Sequence, residues 1–148
     1  IKFSKKSFVN LCLIMNNKYY SRQNEYSKKQ FNKSIGSFGE KEAENYLKRK
    51  GYLLISRNYW SDKGEIDLIF YKCRTLVFVE VKTRTTTFQN PTVAVDKQKQ
   101  KFLISAANRY VQMKKLDADV RFDIVSIVAV NGNVTIEHIE NAFYPRLR

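Results

Sequence analysis

The sequence predicts an α/β domain in the order α-β-β-β-α-β-β, with a mixed central sheet flanked by helices. Three observations carry this expectation. Apolar residues make up 43% of 148 residues, enough for a core at this length. Three apolar runs, the third rich in β-branched residues, follow one another between residues 52 and 82 with turn residues between them. Segments of helical periodicity precede and follow those runs, and two further strand-like runs close the chain.

The elements follow in order. Ser37-Phe38-Gly39-Glu40 fits a capping box, with Ser37 as N-cap and Glu40 three residues on. A helix is expected over 38–50, stopped by Gly51 in the left-handed conformation. Ala43, Tyr46 and Leu47 form its apolar stripe, and Glu40 lies about 20° from Leu47, at the border of the buried face. Residues 52–58 read as a first strand, and Ser61-Asp62-Lys63-Gly64 as a turn. Residues 65–71 and 76–82 read as the second and third strands, joined by a turn at 72–75. A polar loop follows from Thr83 to about Thr92. A helix over 95–115 shows Phe102, Leu103, Ala106, Tyr110 and Val111 on one face. Residues 121–130 and 134–139 complete the set, around the hairpin signal Asn131-Gly132.

Residues 1–35 stand apart. They carry eight Lys and Arg against Glu25 alone, so +7 of a total of +13. No sustained periodicity is visible there, and the segment is expected to be a flexible basic extension to a domain spanning 36–148. Lys5 and Lys6 before a short apolar run give a faint signal-peptide pattern, but Asn10 interrupts the run and no small-residue cleavage site follows. Met15 is an alternative start. With no apolar run of about 18 residues, no membrane span is expected, and the expected location is cytoplasmic.

The charge excess concerns partners, not fold. It favours nucleic acid, with an anionic membrane surface as the weaker alternative. Five Gly and two Pro exclude collagen-like and Pro-rich classes. Cys12 and Cys73 are too few for a disulfide scaffold or a four-Cys zinc site, and His138 is the single histidine.

The second and third strands carry the chemistry. Counting outward from the turn sets Asp67 opposite Glu80. Alternation places Glu65, Asp67 and Ile69 on one face of the second strand, and Glu80 with Lys82 on one face of the third. Carboxylates and a lysine are unusual on strands with such Val-rich flanks unless they have a use. Two adjacent carboxylates repel unless a cation sits between them. Mg²⁺ or Mn²⁺ suits such oxygen ligands, with the Val81 backbone carbonyl as a further donor. Lys82 would then assist an attacking water or stabilise the transition state.

Asp67 followed by Glu80-Val81-Lys82 resembles the D-x(n)-E-x-K pattern of restriction-endonuclease-like nucleases. Glu40 resembles the additional acidic ligand of their Holliday-junction-resolvase branch. Ile66 stands where the wider pattern often has Pro, which is not a ligand. The finer resemblance is to the YraN family, over about residues 36–145. It rests on Gly36-x-x-Gly39-Glu40-x-x-Ala43, Arg57-Asn58, Gly64-Glu65-Ile66-Asp67-Leu68-Ile69, Phe78-Val79-Glu80-Val81-Lys82-Thr83-Arg84, Val95-Asp96-x-x-Lys99, Arg121-Phe122-Asp123 and Asn141-Ala142-Phe143. The resemblance implies a restriction-endonuclease-like core.

The expected function is metal-dependent endonucleolytic cleavage of nucleic acid, with structured or branched DNA as the first candidate. Asp67 and Glu80 would hold Mg²⁺ or Mn²⁺, Glu40 would supplement them, and Lys82 would serve the water. Glu65 is a secondary candidate ligand. Arg84, Lys97, Lys99 and Lys101 are the candidate phosphate contacts, Lys99 foremost because it also matches the family pattern. Resolvase-like action would require a homodimer. A non-catalytic nucleic-acid-binding module and a basic assembly protein, such as one associated with ribosomes, are the rivals. Trp60 is a candidate for base stacking against a core or lid role, and His138 reads as structural or exposed.

Overall fold

The computed structural model describes residues 25–61, 64–84, 95–130 and 133–145. Helix α1 (Glu25–Arg49) leads into a three-stranded antiparallel meander of β1 (Leu53–Ser61), β2 (Gly64–Lys72) and β3 (Thr75–Arg84). Helix α2 (Lys97–Lys114) carries the chain to β4 (Asp119–Val130), which pairs parallel to β3, and β5 (Asn133–Ile139) pairs antiparallel to β4. The sheet is therefore mixed, in the spatial order β1-β2-β3-β4-β5. The expected element order holds, because each strand is an apolar run cut by a turn. The turn at 72–75 is tight: Cys73 and Arg74 both have positive φ, the conformation of a two-residue hairpin loop. Asn131-Gly132, most of the 83–92 loop, the middle of the 61–64 turn and residues 1–24 of the basic extension lie outside the described residues.

Each helix covers one side of the sheet. Ala43 and Leu47 of α1 pack with Leu68, Phe70, Val77, Val79, Val125 and Ile127. Leu103, Ala106, Ala107 and Tyr110 of α2 pack with Ile69, Phe78, Phe122 and Ile124. Gly51 ends α1 as expected, with φ 81°, while Tyr52 N–H bonds to Leu47 O and Gly51 N–H to Lys48 O. Asp96 caps α2, its carboxylate accepting from Lys99 N–H at 2.7 Å.

The start of α1 corrects the sequence reading. The helix begins at Glu25 and passes through Ser37 and Glu40 without a break, so the capping box is not a helix start. Residues 25–35 belong to that helix and not to a flexible extension. Phe31, Ile35 and Phe38 fall on one helical stripe and pack with Ala129 and Val134. That tertiary contact carries the helix past the local signal at Ser37.

Two buried carboxylates anchor ion-pair clusters, one between α1 and β1 and one on β4 and β5. Glu44 of α1, 2% exposed, takes a bidentate bond from Arg57 of β1 (2.7 and 2.7 Å) and another from Lys48 (2.8 Å). The Arg57 guanidinium holds the Glu44 carboxyl at about 2, well below its usual range. On β4, Asp123 accepts from Arg121, bonds His138 Nε2 at 2.8 Å, and caps Asn141 N–H at 3.1 Å. Phe122 and Phe143 stack at 5.0 Å. The Arg121-Phe122-Asp123 and Asn141-Ala142-Phe143 motifs thus meet each other and fasten the chain's last segment to the sheet. His138, 1% exposed at its side chain, is structural.

Candidate active site

The site forms where the sheet forks. Strands β2 and β3 pair from Lys72↔Thr75 as far as Leu68↔Val79. Beyond that, β2 stays with β1 through Ser61↔Gly64, and β3 stays with β4 through Arg84↔Val128. Asp67 and Glu80 stand directly past the last paired residues, as counting from the turn predicts. A fork leaves ladder groups without strand partners, and buried backbone groups do not tolerate that. Side chains fill the places. Val81 N–H donates to Asp67 Oδ2 at 2.7 Å, and Lys99 Nζ donates to Glu65 O at 3.1 Å.

Strict alternation ends at the same point. Leu68 and Phe70 pack on the α1 side, yet Ile66 packs with Ile69 on the α2 side. The expectation that Glu65, Asp67 and Ile69 share one face therefore fails at Asp67. Asn58 is the β1 residue at this level of the pairing, and it has φ 48°, a conformation its short polar side chain tolerates. Its Nδ2 donates to Glu40 Oε2 at 3.1 Å.

Glu80 is 3% exposed. Its Oε1 accepts from Lys82 Nζ, at 2.6 Å. Its Oε2 lies 3.0 Å from Lys99 Nζ, a charge contact without hydrogen-bond geometry, so this buried oxygen accepts no hydrogen bond among the described residues. Burial, reinforced by the neighbouring Glu80 charge, pushes the Asp67 carboxyl up to about 7. The two carboxylates lie in a cavity of about 490 Å³ lined by Asn32, Ile35, Gly36 and Glu40 of α1 and by Val81, Lys82, Thr83 and Arg84 of β3. Helix α1 rests directly on the end of β3. A Cβ at position 39 would collide with Thr83, so only glycine allows that approach.

The structure thus brings Glu40, Asp67, Glu80, Val81, Lys82 and Arg84 to one cavity. Lys97 and Lys101 are exposed on α2 and do not line it. Lys99 belongs to the site itself and not to a surface track, because its ammonium is spent on Glu80 and Glu65. Trp60 is 71% exposed on β1, not part of the core, whereas Tyr59 packs edge-on against Tyr110 at 5.0 Å. The residue that sequence reasoning missed near the site is Glu44. Its place between Ala43 and Leu47 on the apolar stripe was the available signal, since a carboxylate there needs a buried partner.

A family model described as uncharacterised protein family UPF0102 matches residues 39–127. The chain belongs to the UPF0102 family. A UPF0102 protein of Bacteroides thetaiotaomicron is 44% identical over 114 residues, covering 76% of this chain and 94% of its own length. UPF0102 relatives in Geobacter metallireducens (44%, 76% and 93%) and Alkaliphilus oremlandii (40%, 76% and 99%) are similar over comparable spans. The UPF0102 match begins at Gly39, the glycine seated on Thr83, and includes Asp67, Glu80, Lys82 and Lys99.

The donors fit a hard divalent cation. Asp67 and Glu80 are carboxylate donors at the fork, and Glu80 Oε2 accepts no hydrogen bond among the described residues, although the Lys99 ammonium lies 3.0 Å away. Mg²⁺ commonly takes one or two carboxylates and keeps its waters. Among the described residues no group of three or more His, Cys, Asp and Glu stands at metal-holding distance. Glu40 shares the cavity, but its carboxylate is engaged by Asn58.

Proposed function

We propose that this UPF0102 protein is a metal-dependent endonuclease that hydrolyses phosphodiester bonds in nucleic acid, with structured or branched DNA as its substrate. The observation that carries the reading is the Asp67–Glu80 pair at the fork, with Lys82 bonded to Glu80 in the same cavity. A structural surface has no need of two recessed carboxylates beside a lysine.

Asp67 and Glu80 would hold Mg²⁺ or Mn²⁺, with Glu40 and the Val81 carbonyl as further oxygen donors. A cation held there would supply charge for a phosphoryl oxygen and lower the pKa of a bound water. Lys82 orients the Glu80 carboxylate from the cavity side and places a positive charge where the phosphate enters. Lys99 holds Glu80 from the other oxygen and keeps the fork closed by bonding Glu65 O. Arg84 lines the same cavity and supplies a further positive charge for the phosphate backbone. The excess of +13 supports a polyanionic partner.

The test is cleavage of labelled duplex, single-stranded, flap and four-way-junction DNA and structured RNA in Mg²⁺, Mn²⁺ or EDTA, with Asp67→Asn alongside. Metal-dependent cutting lost in Asp67→Asn is the expected result. One observation favours a binding module instead: Glu80 already has two lysines as counter-ions. That reading predicts salt-sensitive binding, equal in wild type and Asp67→Asn, with no cutting in any metal.

A further inference from the structure

Helix α1 contains two glycines near the cavity, and among the described residues only one of them meets a neighbour that requires it. Gly39 is required by Thr83. Gly36 has helical backbone geometry, and a Cβ built on it meets nothing within 4 Å. Glycine inside a helix costs about 1 kcal/mol relative to alanine. No described residue calls for it by packing, and the bare backbone at 36 leaves open space on the helix. It lines the same cavity as Glu80, whose buried Oε2 accepts no hydrogen bond.

We infer that Gly36 is a notch through which one unpaired polynucleotide strand reaches the carboxylates, its sugar-phosphate backbone lying directly on α1. This rests on the nuclease reading and names the form of substrate it takes. Glu80 is 3% exposed and lines this cavity, so a phosphate reaches it only by entering the cavity. A base-paired duplex is a stiff rod that does not fold into such a recess. A single strand fits, and its bases are free to stack. Trp60 offers the platform. It is 71% exposed and pairs with Glu65, two residues or about 7 Å along β2 from Asp67. Stacking of one base on an aromatic ring is worth about 1–3 kcal/mol.

The experiment is fluorescence anisotropy of the full chain with labelled oligothymidylate, oligouridylate and blunt duplex DNA, in EDTA so that nothing is cut. The variants are Gly36→Ala, Gly36→Leu and Trp60→Ala. Wild type is expected to prefer the single strands, and the two sugar types assign DNA or RNA. Gly36→Leu and Trp60→Ala should each lose about tenfold on the preferred strand, and leave duplex binding unchanged. Gly36→Ala should melt no lower than wild type and still bind the strand more weakly. That separates a notch from a folding defect, even if the leucine variant misfolds. Wild-type preference for duplex overturns the inference. Full strand affinity in Gly36→Ala or Trp60→Ala does the same. Those results beside Asp67-dependent cutting would spare the nuclease reading. A wild type that neither binds nor cuts any probe would end both.

Discussion

The backbone N–H of Val81 donates to Asp67 Oδ2 at 2.7 Å, at the point where β2 and β3 stop pairing. A candidate metal ligand is thus also a structural acceptor. The two roles separate by substitution. Asp67→Asn keeps a carbonyl oxygen for Val81, whereas Asp67→Ala leaves that N–H bare. Urea unfolding should show Asp67→Ala losing about 1–3 kcal/mol and Asp67→Asn less than half of that. Cutting should vanish in both. Equal stability of the two variants would mean that the bond does not support the fork.

Lys99 should behave unlike its neighbours. Lys99→Met removes the partner of Glu65 O and one counter-ion of the buried Glu80, at a cost of about 1–3 kcal/mol. Lys97→Ala and Lys101→Ala change exposed side chains and should stay within about 0.5 kcal/mol of wild type. Thermal melting of the three variants decides it. A Lys99→Met protein as stable as Lys97→Ala would return Lys99 to the surface track.

The Glu44–Arg57 pair predicts an acid-sensitive fold. The Glu44 carboxyl titrates at about 2 in the folded chain against an ordinary value of 4.5. Folding therefore favours its ionised form. The pair's contribution is complete above about 4.5 and is lost as pH falls through 2. Glu44→Gln should cost about 1–3 kcal/mol at pH 7. Its denaturation midpoint should converge on the wild-type midpoint near pH 2, by urea titration followed with circular dichroism. A gap that persists unchanged into strong acid would contradict the assignment.

Ser37 tests the corrected helix start. A true N-cap serine loses about 1 kcal/mol on change to alanine. Ser37 lies inside α1, so Ser37→Ala should be neutral within about 0.5 kcal/mol. Ile35→Ala, which removes a contact with Ala129 and Val134, should cost about 2 kcal/mol. Melting temperatures in the opposite order would restore the capping box.

Salt should weaken nucleic-acid binding steeply. If about six phosphates are neutralised, the log–log slope of affinity against salt lies near −5. Titration across a range of KCl concentrations measures it. A slope near zero would remove the phosphate backbone as the source of affinity.

The strands were legible because each apolar run is cut by a turn, and the tight turn at 72–75 fixes the register. Asp67 opposite Glu80 followed by counting. Position 37 misled because its signal is local, whereas Phe31 and Ile35 answer to strands about a hundred residues away. The reach of Lys99 to Glu65 O and Glu80 is not legible, because spacing on a helix says nothing about a fork in the sheet beneath it. The break in alternation was hidden in the left-handed backbone of Asn58. Asp123 and His138 lie on different strands, and nothing local marks their pairing.

Strands β1, β2 and β3 form an unbroken meander of short hairpin contacts, whereas β4 reaches β3 only after the α2 crossover. Contacts close in sequence form faster than distant ones. Asp67, Glu80 and Lys82 all belong to the meander. During folding, the carboxylates would be set side by side while the β4 edge of β3 is still open. Lys82, two residues along β3 from Glu80 and bonded to it, is carried on the same hairpin, so the positive charge that offsets the paired carboxylates does not wait for the α2 crossover.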